Sequence, residues 1–269
     1  MIYTSGSTGM PKGVAVMHWS TVALLDWARE VFSPEELRGI LASTSICFDI
    51  SVFELFVPLC CGGRVILAEN LLQLGTLPEA NEIMLVNTVP SVLNGYLQVG
   101  RLPVSVRTVS LAGSCFRARF VQRLYEIPSI KSVFNLYGPS EDTVFSTFAL
   151  SSRGGRTRPP IGRPVTNTDV HVLDKDLTPV PVGVVGEPHI GGAGLARGYL
   201  GTAGTHGGAF HPHPYSTRPG ARLYRTGDLV RYRPDGNLEF LGQGRPSGQG
   251  AGFRIELGRS RRFLQSILP

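Results

Sequence analysis

Long hydrophobic runs are missing from this sequence. No stretch of about eighteen apolar residues occurs in its 269 residues, which excludes a conventional membrane-spanning helix. The first residues also lack the basic, then apolar, then small-residue order of a secretory leader, so we expect no secretory signal. A motif is already under way at Tyr3, and we therefore expect the chain to start inside a domain.

Cysteine is scarce as well. The four cysteines, Cys47, Cys60, Cys61 and Cys115, have neither zinc-ligand nor redox-motif spacing. This pattern excludes a metal or redox site built on paired cysteines. Cys60 and Cys61 close an apolar segment, so we expect buried, reduced thiols and a cytoplasmic location.

A clustered positive charge is also absent. The net charge is +6, but the basic residues are mostly scattered arginines, with one group near the end at Arg254, Arg259, Arg261 and Arg262. Nucleic-acid-binding proteins carry a basic stripe with interleaved aromatic residues. The sequence therefore predicts no nucleic-acid partner and no membrane partner.

Up to about residue 150 the sequence alternates strand and helix patterns. Apolar runs predict strands at 14–16, 39–42, 65–68, 84–86, 106–111 and 132–136. Helices are predicted from a cap at Ser20 to about residue 31, from a cap at Ser33, over 52–60 and over 118–127. This alternation predicts an α/β fold with a mainly parallel sheet covered by helices on both faces.

The pattern changes near residue 151. Residues 151–160 are rich in Ser, Gly, Arg and Pro and predict a linker. Strand patterns follow at 170–173, 184–190, 222–224 and 229–232, with a hairpin turn over 234–237 and a long exposed loop over 201–219. We therefore predict an α/β subdomain over 1–150, an antiparallel β-barrel-like subdomain over 151–242 and a third segment over 243–269.

The densest motif lies at the start of the chain and combines glycines, hydroxyls and a lysine. Glycine lets the backbone approach a ligand closely, and backbone N–H groups with hydroxyls and a lysine suit a triphosphate. The alternative is a flexible linker, but a linker does not end in Pro-Lys-Gly followed by a strand. The motif is not a P-loop, because Pro11 precedes Lys12 and Gly13 replaces the hydroxyl residue. It reads Tyr3-Thr4-Ser5-Gly6-Ser7-Thr8-Gly9-Met10-Pro11-Lys12-Gly13.

A second motif, Asn-Leu-Tyr-Gly-Pro-Ser-Glu over 135–141, ends an apolar strand. Ligands of α/β folds bind at the carboxyl ends of strands, where Tyr137 could stack on a base and Glu141 could hold Mg²⁺. Without other motifs a simple turn would be the commoner explanation.

Two glycine-containing segments follow. Residues 191–200 suggest a dinucleotide fingerprint, but Arg197 occupies its third glycine position and no acidic partner follows at the expected distance. In Thr226-Gly227-Asp228 the carboxylate could accept both ribose hydroxyls, or it could serve only its own turn.

Together, and in this order, these segments resemble the core motifs of adenylate-forming enzymes, most of all the adenylation domains of nonribosomal peptide synthetases. Phe48-Asp49-Ile50-Ser51 and residues 252–257 resemble two further motifs of that family. The resemblance covers nearly the whole chain. It implies an incomplete large domain of the adenylate-forming fold, without the part before the phosphate loop and without the late catalytic lysine of the mobile C-terminal domain.

The resemblance implies a two-step reaction. ATP and an amino acid give aminoacyl-AMP and pyrophosphate, and the acyl group then passes to the phosphopantetheine thiol of a carrier domain. Asn135 and Tyr137 would then bind adenine, Asp228 would bind ribose, and Glu141 would hold Mg²⁺. Thr8, Lys12 and Glu141 would be catalytic. The residues around the nucleotide would be Thr4, Ser5, Gly6, Ser7, Thr8, Gly9, Lys12, Asn135, Tyr137, Gly138, Ser140, Glu141 and Asp228.

The resemblance also implies an amino-acid pocket in which Asp49 pairs with the substrate ammonium. The alternative is a helix N-cap, because Asp49 precedes a predicted helix. The pocket would hold alanine or another small apolar amino acid. Its residues would be Asp49, Ile50, Phe53, Asn87, Ser110, Ala112, Leu136, Val144 and Phe145.

The chain departs from the family pattern over residues 243–251. Where the pattern has Arg-x-Asp, which holds the nucleotide and forms the hinge pivot, this chain has Gln243-Gly244-Arg245. Two compensating single-base shifts in the coding DNA would produce such a window, and so would drift. The alternatives to an amino-acid-adenylating ligase are therefore a catalytically incompetent nucleotide-binding fragment or another acyl-adenylating ligase. The expected partners are the amino acid, a peptidyl carrier domain and neighbouring synthetase domains.

Overall fold

Helices and strands alternate through the first part of the computed structural model, which describes residues 1–5, 11–201, 208–244, 248–250 and 253–255. Three short 3₁₀ helices lie between the main elements. The main elements are β1 (Ile2–Ser5), β2 (Pro11–Val14), α1 (His18–Val31), α2 (Pro34–Leu37), β3 (Gly39–Ala42), α3 (Ile50–Cys60), β4 (Arg64–Leu67), β5 (Leu85–Thr88), α4 (Pro90–Val99), β6 (Thr108–Leu111), α5 (Ala118–Tyr125), β7 (Ser132–Tyr137), β8 (Thr147–Leu150) and β9 (Arg163–Pro164).

Seven of these strands form one sheet in the order β4-β3-β5-β6-β7-β8-β9. The first five strands in this order run parallel, and β8 and β9 join antiparallel at one side. Strands β3, β5 and β6 are buried at every residue, as expected for parallel strands covered on both faces. The predicted mainly parallel sheet is confirmed.

Helices cover both faces of this sheet and bury a separate core on each. One core contains Leu93 and Tyr96 of α4 together with Val121 and Leu124 of α5. The other lies under α1 and α3 and is rich in aromatic rings, among them Trp27. Both faces are therefore closed, and the second core holds most of the predicted amino-acid pocket.

The helix starts show where the sequence patterns succeed and fail. Ser33 caps α2: its hydroxyl accepts the N–H of Glu36 at 3.3 Å, and the Glu36 carboxylate accepts the N–H of Ser33 at 2.8 Å. The prediction that Ser20 caps α1 is wrong, because α1 begins at His18 and the Ser20 hydroxyl donates to the carbonyl of Leu195 at 3.1 Å. A tertiary contact thus uses the hydroxyl that the pattern assigned to a cap.

Two further corrections concern the first half. The strand predicted at 14–16 is instead β2, which ends at Val14, and the Ala15 N–H donates to the carbonyl of Gly198 at 2.9 Å. Helix α4 was not predicted at all. Only Pro90, Leu93 and Tyr96 of that helix are buried, so its apolar stripe is too narrow to stand out.

The second part of the chain is built of antiparallel strands. Strands β10, β11, β13 and β12 form one sheet in this order, and β14 pairs with β15 in a hairpin. The antiparallel β-rich part of the predicted fold is confirmed. Its strands are β10 (Thr168–Leu173), β11 (Glu187–Gly192), β12 (Phe210–Pro212), β13 (Arg222–Arg225), β14 (Asp228–Tyr232), β15 (Leu238–Gln243), β16 (Gly248–Gly250) and β17 (Phe253–Ile255).

Some boundaries in this part differ from the prediction. The strand expected at 184–190 is β11, which starts at Glu187, and the loop expected over 201–219 contains β12. Histidines and prolines make up most of β12 and its surroundings. Strand β12 has no β-branched residues, so its sequence does not indicate a strand. The predicted turn at 234–237 is confirmed: Gly236 has φ +79°, and the Asn237 N–H donates to the Asp235 carboxylate at 3.0 Å.

Residues 151–160 form neither helix nor strand, as predicted for a linker. The four cysteines are free, but the expected burial is wrong, because three are exposed and Cys61 is half-buried. The apolar segment that ends in Cys60 and Cys61 is helix α3, which reaches the surface at its end. Within the part of the chain that the structure describes, no helix is long and apolar enough to cross a membrane.

Candidate functional site

The predicted phosphate segment forms a hairpin of which the structure describes the two strands. Strands β1 and β2 pair antiparallel, with Thr4 opposite Lys12 and Ser5 opposite Pro11. The hairpin thus places Thr4 beside the lysine that the sequence assigned to the phosphates. The predicted residues Gly6, Ser7, Thr8 and Gly9 lie outside the described residues.

Tyr199 brings together the lysine and the acid that were predicted to be catalytic. The ammonium of Lys12 lies 5.2 Å from the centre of the Tyr199 ring, a cation–π contact. The hydroxyl of Tyr199 donates to the Glu141 carboxylate at 2.5 Å. Glu141 is 5% exposed, so this hydrogen bond holds a nearly buried carboxylate in place. Tyr199 was not among the predicted site residues.

The glycine-rich segment over 191–200, which fails as a dinucleotide fingerprint, positions this tyrosine. The N–H groups of Arg197 and Leu200 donate to carbonyls of residues 15 and 13, at 2.9 and 2.8 Å. Two of its glycines are required by close packing: a Cβ on Gly192 would lie 2.2 Å from the Asn167 carbonyl oxygen, and one on Gly194 would lie 2.7 Å from Oδ1 of Asp142. The glycines therefore allow close packing next to the β1–β2 hairpin, which we name the phosphate hairpin.

The predicted adenine and ribose residues are also in contact. The Tyr137 hydroxyl donates to Oδ2 of Asp228 at 2.6 Å, and the Gln243 amide donates to Oδ1 at 3.2 Å. Asp228 is 7% exposed at the start of β14. Its N–H donates to the hydroxyl of Thr226 at 3.1 Å, which fixes the turn before the strand. Both carboxylate oxygens of Asp228 thus accept a hydrogen bond from a neighbouring side chain.

Asn135 of strand β7 and Gly138, in the turn after it, have structural roles. The Asn135 amide N–H donates to the carbonyl of Pro160 at 2.6 Å, which ties the linker to β7. A Cβ on Gly138 would lie 2.5 Å from the carbonyl oxygen of Val144, so only glycine permits this approach. The turn after β7 therefore packs directly against the segment that carries Val144 and Phe145.

Asp49 accepts a hydrogen bond from the hydroxyl of Ser140. Asp49 occupies the N-cap position of α3, but its side chain makes no capping hydrogen bond to that helix. The residue is half-buried, and desolvation of its carboxylate is the largest cause that raises its pKa to about 6, with the Ser140 hydrogen bond acting against it. The predicted substrate acid and the predicted phosphate residue are thus neighbours.

The other predicted pocket residues lie together in the aromatic core. Phe53 and Phe145 are 5.6 Å apart between ring centres, and Trp27 lies 6.4 Å from the first and 5.9 Å from the second. Trp27 was not among the predicted pocket residues. Burial is nearly complete for the predicted residues Phe53, Asn87, Ser110, Ala112, Leu136, Val144 and Phe145, and Ile50 is half-buried.

The same core contains polar atoms without partners. Asn87 and Ser110 face each other in register on β5 and β6, and both are 0% exposed. Both amide atoms of Asn87, the hydroxyl of Ser110 and the indole nitrogen of Trp27 have no hydrogen-bond partner in the described part of the chain. Such groups cost free energy when buried, so a ligand that satisfies them gains affinity.

The backbone is strained where it enters the pocket. Thr143 and Val144 have φ angles of 49° and 78°, a region that β-branched residues rarely adopt. The hydroxyl of Thr143 donates to the carbonyl of Gly194 at 2.6 Å. The N–H of Ser146 donates to the backbone carbonyl of Tyr137 at 2.7 Å. These bonds hold the strained turn and direct Val144 and Phe145 into the core.

Two buried acids support the site without having been predicted. Glu54 of α3 is 0% exposed and accepts the N–H groups of Ser43 and Thr44 at 3.1 and 3.0 Å, which fixes the loop after β3. Asp142 accepts the hydroxyl of Ser146 at 2.6 Å. Burial is the main cause that raises the pKa of Glu54 to about 7 and that of Asp142 to about 8. No sequence pattern marks either residue.

The donor set suits a magnesium ion that a substrate brings with it. Among the described residues there is no group of three or more His, Cys, Asp or Glu side chains that could hold a metal ion. Mg²⁺ commonly binds through one or two carboxylates together with substrate phosphates. Glu141 is the candidate carboxylate, because it is hydrogen-bonded to Tyr199, the ring of which contacts Lys12.

Strand β11 holds the turn that presents Asp228, and it contains a buried histidine. The Thr226 hydroxyl donates to the carbonyl of Pro188 at 2.9 Å, next to His189. His189 is 1% exposed and shares a 2.8 Å hydrogen bond with His211 between Nδ1 and Nε2. Burial is the main cause that lowers the pKa of His189 to about 4; Glu187 opposes it, while His211, Arg225 and His171 add to it.

We expect His189 to destabilise the protein as the pH falls. Between pH 6.5 and about 4 the unfolded chain binds a proton at His189 that the folded chain does not, so the free energy of unfolding decreases by up to about 3 kcal/mol. The replacement His189→Gln removes this dependence. Urea unfolding of both proteins from pH 7.5 to 4.5 measures the pH dependence of the free energy of unfolding. The contribution of the buried carboxylates is the same in both proteins and cancels in the difference between them. Parallel stability curves for the two proteins would contradict the expectation.

Comparison with known proteins gives a consistent family. The family model described as AMP-binding enzyme matches residues 1–200 of the chain.

Among curated proteins, the chain is similar to one of the linear gramicidin synthase proteins of Brevibacillus parabrevis, with 53% identity over 266 residues, 99% of the chain and 5% of that protein. It is also similar to the AMB antimetabolite synthetase AmbB of Pseudomonas aeruginosa, with 48% identity over 99% of the chain and 21% of that protein. The chain thus spans a small part of the curated relatives it matches.

Solved structures show the same fold. The adenylation domain AlmE of Vibrio cholerae, in complex with glycyl-adenosine-5'-phosphate, superposes with a TM-score of 0.85 at 25% identity over 99% of this chain and 52% of that one. PA1221, a nonribosomal peptide synthetase protein containing adenylation and PCP domains, gives a TM-score of 0.86 at 27% identity over 98% of this chain and 55% of that one.

Proposed function

Because the chain belongs to the family of AMP-binding enzymes and resembles the adenylation domains of nonribosomal peptide synthetases, we propose that it adenylates an amino acid for peptide synthesis. The carboxylate oxygen of the amino acid attacks the α-phosphorus of ATP, a new P–O bond forms, and the bond to pyrophosphate breaks. One observation carries this proposal: the Asp49 carboxylate accepts a hydrogen bond from Ser140, the neighbour of Glu141, at the rim of a closed apolar core.

The side chains of this chain position the reactants. Asp49 pairs with the substrate ammonium, and Lys12 neutralises phosphate charge that builds up as pyrophosphate leaves. Tyr199 keeps Glu141 in place, and Glu141 holds Mg²⁺, which when bound neutralises phosphate oxygens. Tyr137 packs on adenine and Asp228 accepts the ribose hydroxyls, for which its present hydrogen bonds to Tyr137 and Gln243 give way or rearrange.

The rest of the predicted site belongs to the same proposal. The phosphate residues are Thr4, Ser5, Gly6, Ser7, Thr8 and Gly9. The division into units at 1–150, 151–242 and 243–269 stays a prediction. The proposed partners are a carrier domain with its phosphopantetheine thiol, neighbouring synthetase domains and the amino acid, in the cytoplasm where ATP and amino acids are available. PA1221, which is described in two solved structures as containing adenylation and PCP domains, supports the carrier partner.

We propose that the substrate is alanine or an amino acid of similar size. Phe53, Phe145 and Trp27 lie within 6.4 Å of one another between ring centres and fill the space that a long side chain needs. No second charged residue belongs to the predicted pocket, so a charged side chain would stay unpaired. Asn87 and Ser110 offer unpaired polar atoms, which makes serine the strongest competitor.

Amino-acid-dependent exchange of labelled pyrophosphate into ATP tests this proposal. We expect the highest kcat/KM with alanine, values within about one to two orders of magnitude for glycine, serine and 2-aminobutyrate, and no exchange with phenylalanine or lysine. The replacement Ser110→Ala lowers exchange with serine more than exchange with alanine, because only serine carries a hydroxyl to pair. An optimum with an aromatic or basic amino acid would refute the size argument.

We also propose that the window over 243–251 impairs turnover. By resemblance, Gln243 and Arg245 occupy the positions of a nucleotide-binding arginine and of the hinge carboxylate. The side-chain amide nitrogen of Gln243 donates to Asp228. The side-chain oxygen of Gln243, Oε1, is buried without a partner in the described residues. Arg245 lies outside them. A protein with this window therefore binds ATP weakly and does not complete adenylation and thioester formation at a normal rate.

A further inference from the structure

A cavity of about 320 Å³ lies between helix α5, strand β8, the 151–160 linker and the turn of the β14–β15 hairpin. We name it the arginine cleft, because the guanidinium-bearing residues Arg158, Arg163 and Arg233 line it. None of the predicted nucleotide or amino-acid residues lines the cleft. The cleft borders the proposed nucleotide site, because the carbonyl of Pro160, one of its lining residues, accepts the Asn135 amide.

The arginines of the cleft are only partly neutralised. Arg233 donates to the Glu239 carboxylate at 2.8 Å, but Glu239 also accepts from Arg231 at 2.8 Å. Arg163 donates to the backbone carbonyl of Asp235 at 2.6 Å. The side chain of Arg158 has no hydrogen bond or ion pair to any described residue.

Among the described residues that line the cleft, one carries a carboxylate. That group, Asp235, has a lowered pKa, first through the N–H of Asn237 and further through Arg233 and Arg163, so it is ionised. Because Arg233 is already ion-paired with Glu239, the charge that remains is that of Arg158 and Arg163 against Asp235, which is a small excess of positive charge in a concave site. Such a site concentrates anions.

The wall of the cleft also contains an unused hydroxyl. Ser151 is 3% exposed, and its hydroxyl has no hydrogen-bond partner in the described part of the chain. Its backbone is occupied, because the N–H donates to Val133 at 2.8 Å and the carbonyl accepts from Tyr125 at 2.6 Å. Ser151 thus adds an unpaired hydroxyl to the residues of the cleft wall, although its oxygen is covered by neighbouring atoms.

We propose that the arginine cleft binds a multiply charged oxyanion of the phosphate class. A tetrahedral phosphate presents oxygens in several directions, so guanidinium groups from three chain segments can bind it at once, whereas a planar carboxylate engages one fork. Arg158 from the linker and Arg163 ahead of β10 provide the main contacts. Arg233 bridges the cleft to Glu239 and fixes its far wall.

Calorimetric titration with inorganic pyrophosphate tests the proposal. The phosphate hairpin is a competing site, so the titration uses the Lys12→Ala protein as background. In that background we expect one pyrophosphate site, whose affinity falls at least about tenfold in the Arg158→Ala, Arg163→Ala double variant. The Arg218→Ala variant removes the same kind of charge from an exposed loop and leaves the affinity unchanged.

Further arms separate the possible outcomes. Should the double alanine variant fail to fold, the Arg158→Lys variant takes its place. Lysine keeps the charge without the planar fork, so we expect a smaller loss of pyrophosphate affinity. Added salt is expected to weaken pyrophosphate binding to the Lys12→Ala protein. Complete loss of pyrophosphate binding in Lys12→Ala overturns the proposal, as does equal binding with and without the two arginines. Citrate binding as tightly as pyrophosphate overturns the assignment to phosphate.

Discussion

Replacing Asp49 with asparagine is expected to raise the KM for the amino acid about a hundredfold to a thousandfold. The substitution removes the charge that pairs with the substrate ammonium and keeps the shape of the side chain. Breaking a buried charge pair costs about 3–5 kcal/mol, and the lower part of this range applies because Asp49 is only half-buried. The affinity for ATP is expected to change little, because asparagine keeps an oxygen that can accept the hydrogen bond from Ser140, the predicted nucleotide residue beside Asp49. Exchange kinetics with varied amino acid, together with ATP titration, measure both quantities.

The pH dependence provides an independent check on Asp49. Its pKa of about 6 means that the carboxylate becomes protonated below this pH, and only the ionised form attracts the ammonium. The KM for the amino acid should therefore rise about tenfold per pH unit below about 6, and this dependence should disappear in Asp49→Asn. Asp176→Asn, at a residue exposed in the β10–β11 connection, is the control. An Asp49→Ala protein with undiminished amino-acid affinity would rule out the assigned role.

Restoring the family residues in the hinge window is expected to increase carrier loading about a hundredfold. The double substitution Gln243→Arg, Arg245→Asp supplies a cation beside Asp228 and the nucleotide and a carboxylate at the pivot. A single preorganised charge at a reacting phosphate is worth about two to three orders of magnitude. The measurement is transfer of a labelled amino acid to the carrier thiol, in a synthetase module that carries this window.

Arg218→Asp makes the same change of charge as Arg245→Asp, but in an exposed loop, and is expected to leave loading unchanged. If the module with Gln243 and Arg245 already loads its carrier at a normal rate, the proposed defect does not exist. If loading stays low after the double substitution, the defect lies in another part of the window.

The parallel sheet could be predicted because its strands carry their own signature. Strands such as β3 (Gly39–Ala42) are buried on both faces and therefore appear as apolar runs. Helix α4 lacks such a signature, because three buried positions in ten residues do not form a clear stripe. Strand β12 is hidden for a related reason: its sequence Phe-His-Pro has little β propensity, and pairing with β13 alone makes it a strand.

For the candidate site, sequence motifs named residues that the fold brings into contact, but they could not name residues whose place depends on tertiary contacts. Tyr137 and Asp228 were assigned to one nucleotide from separate motifs, and the fold joins them by a hydrogen bond. Tyr199 was missed, because its position between Lys12 and Glu141 depends on the pairing of two distant segments. Glu54 and Asp142 were missed for the same reason, since burial alone gives them their raised pKa values.

The comparison of alanine with propionate in the pyrophosphate exchange assay tests the central claim most directly. The two acids have the same carbon skeleton, and only alanine carries the ammonium group that Asp49 is proposed to bind. Measured in a protein that contains the complete adenylation unit, exchange is predicted with alanine and not with propionate, and Asp49→Asn is predicted to reduce this preference strongly. Equal exchange with both acids would contradict amino-acid activation and would instead indicate a general acyl-adenylating ligase.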